Sequence, residues 1–317
     1  MSTSTSVTGN RPTSRPRDTM GSCGCDRSVQ GVYGGTFNQT EDTWNHKESL
    51  EDLRDFRLPV GGNGQLLDNT RGRRLAEGYR ILSVSLCDHD YYSGLGTPYP
   101  NNPNPGAEVN GLEATMAAVE YTVANYPTTH VFAHGTSAGS IGAYSLAFSF
   151  SDVGTPLTGA IMDSGTPTPR YLSIFDDYVG APGFPHAAGT DPDGWVDKVG
   201  FFLNEDLAVQ TEAQVSAGFT DVPLLMIGGD ADPFFGGNQA PIAEATAAGL
   251  NNVDWMYDGV RQAVAAQPGS SHQVSILDGA GHVPTHEVSG VGAAASDIVD
   301  TFIGDILAAN PPHPFAP

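Results

Sequence analysis

Basic residues are scarce in this chain, and lysine is almost absent. The 317 residues contain 14 lysines and arginines against 36 aspartates and glutamates, a formal net charge of −22. Only two of the basic residues, Lys47 and Lys198, are lysines. Because a surface of this sign repels nucleic acids and anionic membranes, neither is expected as a partner. The carboxylate-rich, lysine-poor composition also raises the hypothesis that the protein works in concentrated salt.

Cysteines and long apolar runs are few as well. Three cysteines, Cys23, Cys25 and Cys87, do not make a disulfide scaffold, and their spacing is not that of a zinc site. One bridge to Cys87 and three free thiols both fit this pattern. No run approaches the ~18 apolar residues of a transmembrane helix, so none is expected. The first thirty residues contain no apolar segment, and we expect no secretory signal in them.

The rest of the chain has the pattern of one α/β domain. Residues 1–30 are rich in Ser, Thr and Arg and are predicted to be disordered or linker-like. From residue 31 to 317, short apolar runs alternate with helical patterns, which predicts a mostly parallel sheet with helices on both faces. The strand-like runs cover residues 80–86, 130–135, 159–165, 222–230 and 272–279. The helical patterns cover residues 112–126, residues 137–148 and a final segment with Ile298, Phe302 and Ile306 on one face.

A long segment without strong strand character interrupts this alternation. Between Gly165 and Val222 lie 56 residues with two helix-like pieces. An insertion of this length between two strands predicts a cap over the carboxyl edge of the sheet, at about residues 166–221.

The segment Gly135-Thr136-Ser137-Ala138-Gly139 fits the pattern G-x-S-x-G between a predicted strand and a predicted helix. A serine on such a tight turn projects its hydroxyl above the sheet, and small neighbours let strand and helix come close. Ser137 is therefore the candidate nucleophile, and the N–H of Ala138 is a candidate oxyanion donor. Without its context, the pattern also fits a serine in a glycine-lined loop.

A serine hydroxyl needs a base to take its proton, and the base needs an acid to orient it. The runs at residues 222–229 and 274–281 lead into Asp232 and His282. Asp232 lies 95 residues after Ser137, and His282 lies 50 residues after Asp232. This order of serine, acid and histidine, each at a strand end, is that of α/β-hydrolases. Asp230 competes for the acid role, but the segment G-x-x-D-P favours Asp232 and leaves Asp230 as a turn-capping carboxylate. His286 is the alternative to His282.

Other polar and aromatic residues are candidates for the pocket. Asp163 follows a strand only 26 residues after Ser137, which favours a pocket wall or a supporting position. We expect Thr136, Phe234, Tyr91 and Tyr92 to line the substrate site, with packing or a surface loop as the alternative for the aromatic residues. The segment Asp88-His89-Asp90 could hold a cation, but no further ligand is evident, so no metal site is predicted. His134 is expected inside the sheet.

The segments HGTSAGSIGAY, DSG and DHDYYSG resemble the pectin acetylesterase/Notum-like branch of the α/β-hydrolases over roughly residues 80–310. Members of this branch are carboxylesterases that remove acyl groups from polysaccharides or proteins, and most are exported. The resemblance implies Ser137 as nucleophile, Asp232 as acid and His282 as base. The branch elbow usually reads G-C/S-S-A-G-G, from which this chain departs at Thr136 and Ser140.

The oxyanion segment departs further from the family. Such enzymes carry an early strand that ends in a glycine-rich loop, whose N–H groups supply half of the oxyanion hole. The nearest candidates are Gly34 and Gly35 in GVYGGTF, ahead of Gly61 and Gly62. Either Gly34 and Gly35 donate, or the amino-terminal part of the family's fold is rewritten in this chain.

The sequence thus predicts a serine carboxylesterase that needs no metal. No nucleotide fingerprint, H-E-x-x-H or Walker motif is present, so no cofactor is implied. The expected substrate is a polysaccharide ester or a small ester. The alternatives are a polyester or polyhydroxyalkanoate depolymerase, which needs the same triad, and a non-catalytic binding protein on a hydrolase scaffold. The oligomeric state is not predicted.

Overall fold

A computed structural model describes a subset of the chain. The described residues are 4–9, 73–74, 77–85, 97–98, 108–153, 157–166, 168–170, 174, 213, 215–216, 221–286 and 290–309. Several predicted features lie outside them: Gly34, Gly35, Tyr91, Tyr92, the segment 88–90, the three cysteines and most of the cap at residues 166–221.

The described strands and helices follow one another in an α/β order. The strands are β1 (Ser4–Gly9), β2 (Arg80–Ser85), β3 (Thr97–Pro98), β4 (Glu108–Val109), β5 (Val131–Thr136), β6 (Gly159–Asp163), β7 (Leu224–Gly229) and β8 (Gln273–Leu277). The α-helices are α1 (Gly111–Asn125), α2 (Ala138–Val153), α3 (Ala243–Ala248), α4 (Asn252–Ala265) and α5 (Gly290–Ala309). Two short 3₁₀ helices, Pro233–Phe235 and Pro284–His286, follow β7 and β8.

Six of the strands in the described ranges form the central sheet, in the order β2-β1-β5-β6-β7-β8. The four strands β5 to β8 are parallel, with Phe132 opposite Gly159 and Leu225 opposite Gln273. The predicted α/β architecture with a mostly parallel sheet is confirmed. Since parallel strands end at the same edge, the turns after β5, β6, β7 and β8 lie side by side there.

Strand β1 corrects the prediction for the amino-terminal segment. Ser4–Gly9 are not disordered but run between β2 and β5, antiparallel to both, with Val7 opposite Leu82 and Ala133. The segment STSVTG has too few apolar residues to show a period. Its Thr and Val residues favour extended backbone, and hydrogen-bond ladders on both sides supply the rest of its stability. Residues 10–30 lie outside the described part.

Helices cover both faces of the sheet, as the alternation of its side chains requires. In β6, Ala160 and Met162 face the cluster that α1, α2 and α4 build, whereas Ile161 faces α5. On the second face, Phe302 and Ile306 of α5 are buried, and Ile298 is partly buried. The two apolar layers therefore fix the sheet from both sides. None of the helices in the described ranges is apolar and long enough to cross a membrane.

Candidate active site

Ser137 lies on a sharp turn between β5 and α2. Its φ is +54°, a conformation that non-glycine residues adopt rarely and usually at functional sites. The turn depends on glycine at position 135, where a Cβ atom would lie 1.8 Å from the Gly139 carbonyl oxygen. The Ser137 N–H donates to the Asp163 carbonyl across the edge of the sheet, at 2.8 Å. The sequence therefore forms a strained turn that holds this partly exposed serine above the carboxyl edge.

The His282 ring lies between Ser137 and Asp232. Its Nε2 is 2.9 Å from Ser137 Oγ, and its Nδ1 is 2.7 Å from Asp232 Oδ2. Asp232 is completely buried, and the His282 side chain is only 4% exposed. With a carboxylate at Nδ1, the tautomer that carries its proton on Nδ1 is favoured. Nε2 then has a lone pair free to accept the Ser137 proton.

The turn after β7 holds Asp232 in place. Asp232 Oδ1 accepts a hydrogen bond from the Phe234 N–H at 2.8 Å, so both carboxylate oxygens have partners. The Asp232 carbonyl accepts from the Gly237 N–H at 2.7 Å. A Cβ atom at Gly237 would lie 2.4 Å from the Asp230 carbonyl oxygen, so the turn requires glycine there. The carboxylate is thus fixed before any substrate arrives.

Asp230, the alternative acid, lies in the same turn but points elsewhere. Its Oδ1 accepts a hydrogen bond from the Gly279 N–H at 2.7 Å and so caps the turn after β8. Gly279 has a φ of +70°, a conformation that glycine adopts without strain. The contact with His282 is therefore made by Asp232, and Asp230 joins the two neighbouring turns.

The loop that carries His282 is fastened at several points. The Ala231 N–H donates to the Ala280 carbonyl at 3.0 Å. The backbones come so close that a Cβ atom at Gly229 would lie 2.2 Å from the Ala280 carbonyl oxygen. Beyond the histidine, Val283 has a φ of +58°, and its N–H donates to Ser164 Oγ at 2.9 Å.

Asp163 lies behind this loop, at the end of β6. It is fully buried, and its Oδ2 accepts hydrogen bonds from both the N–H, at 3.2 Å, and the hydroxyl of Thr285. Burial raises the pKa of Asp163 to about 7, although the hydrogen bonds from Thr285 and the charge of His282 oppose the rise. Asp163 is a candidate predicted from the sequence, whereas Ser164 and Thr285 were not predicted. The nearest sequence signal for Ser164 is the DSG segment that contains it, and for Thr285 it is a hydroxyl residue three positions after His282.

Aromatic rings border the histidine. The Phe234 ring centroid lies 4.4 Å from that of His282, and the Phe235 centroid lies 6.0 Å from it. Phe235 is buried, whereas Phe234 is partly exposed beside the imidazole. Thr136 is buried as the last residue of β5, opposite Asp163 in β6. His134 is also buried in β5.

The amino end of α2 lies at the candidate oxyanion side of the site. Ala138 begins α2 directly after Ser137, where a helix amino terminus presents N–H groups that have no partner within the helix. Gly34 and Gly35 lie outside the described residues. Strand β1 fills the sheet position beside β5 but is antiparallel to it, with Thr5 opposite Gly135. The amino end of β1, rather than its carboxyl end, therefore lies beside the elbow.

The titratable side chains of the site are arranged for hydrogen bonding to one another and to the backbone. In the described ranges, no three His, Cys, Asp or Glu side chains are grouped as a metal ion would require. The buried carboxylates Asp163 and Asp232 are each occupied by hydrogen bonds from protein groups. The chemistry that this arrangement can perform is proton transfer from a serine hydroxyl, with a nucleophilic oxygen as the result.

No protein-family model matches the chain, and neither does any curated protein. Among solved structures, the chain is similar to an esterase from Pyrococcus furiosus, with 16% identity over 62% of each chain and a TM-score of 0.36. It is also similar to brefeldin A esterase, a bacterial homologue of human hormone-sensitive lipase, with 13% identity and a TM-score of 0.46. That match covers 75% of this chain and 63% of the other.

A third similar structure is a thermophilic esterase from Thermogutta terrifontis, with 12% identity and a TM-score of 0.42 over 79% of this chain and 87% of the other. The chain spans 62% and 63% of the lengths of the first two solved structures.

Strands β5 to β8 are parallel, an elbow follows β5, and acid and histidine turns follow β7 and β8. These features define the α/β-hydrolase fold, and the described residues have that fold.

Proposed function

We propose that this chain is a serine carboxylesterase in which Ser137 is the nucleophile, His282 the base and Asp232 the acid. One observation carries the proposal: a continuous hydrogen-bonded line joins Asp232 Oδ2, His282 and Ser137 Oγ, with spacings of 2.7 and 2.9 Å. The serine that ends this line has the positive φ of a nucleophile elbow. A structural serine needs neither the histidine contact nor this strained backbone.

The geometry supports a two-step reaction. As Ser137 Oγ attacks the ester carbonyl carbon, its proton passes to His282 Nε2, and Asp232 stabilises the imidazolium that forms. The tetrahedral intermediate then releases the alcohol, which takes the proton from Nε2, and an acyl group stays on Ser137. Water attacks this acyl-enzyme with His282 again as base, and the acid leaves.

The negative oxygen of the tetrahedral intermediate needs hydrogen-bond donors. The N–H of Ala138, at the start of α2, is the first donor in this proposal. Gly34 or Gly35 is proposed as the second. Removing one such donor costs about 10²–10³ in rate, so the second donor decides how fast the enzyme works.

The proposed substrate is an acyl ester of a polysaccharide or a small alcohol. The resemblance of the elbow and the DSG segment to the pectin acetylesterase/Notum-like branch supports this choice. Phe234, with its ring partly exposed beside His282, and Thr136, next to the nucleophile, are the proposed pocket residues among those described. Tyr91 and Tyr92 are proposed to extend the same pocket.

The test is an ester panel with matched serine variants. Purified protein is assayed on acetylated pectin, acetylated xylan, short p-nitrophenyl esters and a polyester film. We expect hydrolysis of the small or sugar esters, abolished in Ser137→Ala and retained in Ser145→Ala. Ser145 is a suitable control because its buried hydroxyl, also on α2, has no hydrogen-bond partner among the described residues. Full activity in Ser137→Ala would show that another group is the nucleophile.

A further inference from the structure

The end of β6 is bonded to the histidine loop by side chains. Ser164 Oγ accepts a hydrogen bond from the Val283 N–H at 2.9 Å, and Asp163 Oδ2 accepts one from the Thr285 N–H at 3.2 Å. The Thr285 hydroxyl donates to the same carboxylate oxygen. These bonds hold the first and third residues after His282, and they span 119 and 122 positions of the sequence.

The same segment is bonded to the serine elbow through its backbone. The Asp163 carbonyl accepts hydrogen bonds from the Ser137 N–H at 2.8 Å and from Ser140 Oγ at 2.7 Å. At Gly165, a Cβ atom would lie 2.2 Å from the Ser137 carbonyl oxygen. Residues 163–165 therefore contact the backbone of the proposed nucleophile on one side and the loop of the proposed base on the other.

Backbone strain is concentrated at the same three places. Among the described residues, the non-glycine residues with positive φ are Ser137, Ser164 and Val283, at +54°, +58° and +58°. A β-branched residue such as Val283 adopts this conformation only when its surroundings impose it, at about 1–3 kcal/mol. The Val283 N–H to Ser164 Oγ hydrogen bond joins two of the three strained residues directly. The strained backbone at Ser164 and Val283 and the hydrogen bond between these two residues thus lie in the same contact between the end of β6 and the histidine loop.

The bonding pattern around Asp163 suits a carboxylate. The Thr285 N–H and hydroxyl donate to Oδ2, and the Ser164 hydroxyl donates to Oδ1 at 3.3 Å. An ionised carboxyl only accepts, so it satisfies all three donors, whereas a protonated one carries a donor of its own. Burial raises the pKa of Asp163 to about 7, so its charge changes near neutral pH. The titratable groups that bear on it within the described part are the His282 imidazole and the Tyr257 phenol.

We propose that Asp163, Ser164 and Thr285 are positioning residues that hold the His282 ring in line with Ser137. The inference rests on the proposed function. Their side chains act on the histidine loop, at Val283 and Thr285, rather than on substrate. It follows that the ionised form of Asp163 holds the loop in its competent position. Proton uptake by Asp163 adds an O–H donor among the three donors that face the carboxyl group, weakens the hydrogen bonds from Thr285 and Ser164, and so loosens the loop.

The first experiment removes single hydroxyls. Ser164→Ala and Thr285→Val are expected to lower kcat on a p-nitrophenyl ester by about 10-fold to 100-fold, the effect of a misplaced catalytic group. KM is expected to change by less than about twofold because neither side chain contacts substrate. Thr285→Ser keeps the hydroxyl, so its kcat should stay close to that of the wild type and above that of Thr285→Val. Ser145→Ala is the matched control for loss of a buried hydroxyl and should match the wild type.

The second experiment uses Asp163→Asn, which keeps a carbonyl oxygen for Thr285 but no longer titrates. In the wild type, log(kcat/KM) should fall below about pH 7, where Asp163 takes up its proton, and the fall should be steeper than loss of a single catalytic base would give. In Asp163→Asn, whose amide is uncharged and carries donors like the protonated carboxyl, kcat/KM should be lower and the extra steepness below about pH 7 should be absent. A merely structural carboxylate would change the height of this profile and leave its slope unchanged.

The outcomes separate this inference from the proposed function. If the wild type hydrolyses no ester and Ser137 takes up no fluorophosphonate, the proposed function fails and the inference fails with it. If the wild type is active, the inference is overturned when Ser164→Ala and Thr285→Val retain wild-type kcat. It is also overturned when Asp163→Asn keeps the wild-type slope. Circular dichroism and melting temperature are recorded for each variant, and slopes are compared only between folded proteins.

Discussion

Replacing Asp232 with asparagine changes one atom of the site and tests the role of its charge. The asparagine carbonyl can still accept the hydrogen bond from the Phe234 N–H, so its NH₂ group faces His282 Nδ1, where the carboxylate oxygen lies at 2.7 Å. An NH₂ group donates to Nδ1 and therefore favours the tautomer with its proton on Nε2. That nitrogen can then only donate to Ser137 Oγ, and the serine has no base.

The expected loss of kcat follows from this exchange of donor and acceptor at His282 Nδ1. Loss of the correct tautomer in a serine–histidine–aspartate site lowers kcat by about 10⁴-fold, or about 5 kcal/mol in the activation barrier. Asp232 is completely buried, so water cannot replace the missing carboxylate. The assay is steady-state hydrolysis of a p-nitrophenyl ester, with the rate of fluorophosphonate labelling as a second measure that needs no turnover.

Asp230→Asn is the matched control for this prediction. Asp230 lies two residues away, and an asparagine carbonyl can still accept the hydrogen bond from the Gly279 N–H. We expect kcat to stay within about threefold of the wild type, as for other substitutions outside the reacting groups. A kcat above about a tenth of the wild-type value in Asp232→Asn would contradict this role of the carboxylate. An equal loss of kcat in Asp230→Asn would contradict it as well.

Three further predictions concern the scaffold. Gly135→Ala places a methyl group 1.8 Å from the Gly139 carbonyl oxygen, so it should abolish activity and lower the melting temperature. In its control, Gly304→Ala in α5, the added methyl group meets no atom within 4 Å and should raise the free energy of unfolding by about 0.5–1 kcal/mol. His272 accepts a hydrogen bond from the Leu224 N–H, and burial lowers its pKa. The unfolded chain therefore takes up the proton first, and the melting temperature should fall as pH drops below about 6.5, less so in His272→Asn. Activity and melting temperature should hold or rise toward molar salt, and a steady fall would contradict the salt hypothesis.

The parallel part of the sheet could be predicted because of how it is buried. Strands β5, β6 and β7 are buried along their whole length, and such strands appear in a sequence as short continuous apolar runs. Strand β1 has no such signal, since STSVTG contains one apolar residue. Its place depends on hydrogen-bond ladders with β2 and β5, which are distant in the sequence.

Only those residues of the candidate site that strand ends and chain order identify could be predicted from the sequence. They single out Ser137, Asp232 and His282, and the structure brings the three side chains together. The choice between Asp230 and Asp232 depends on the direction in which each side chain points within one turn. The spacing of residues along the chain does not specify that direction. Ser164 and Thr285 were missed because their bonds to Val283 and Asp163 cross more than a hundred positions.

The most direct test of the central claim is covalent labelling of folded protein with a fluorophosphonate, read by intact mass and peptide mapping. A serine activated by His282 forms one stable adduct, whereas an ordinary serine does not react. We expect a single adduct on Ser137, absent from Ser137→Ala and formed far more slowly in His282→Ala. No adduct in folded protein, or an adduct on another serine, would contradict it.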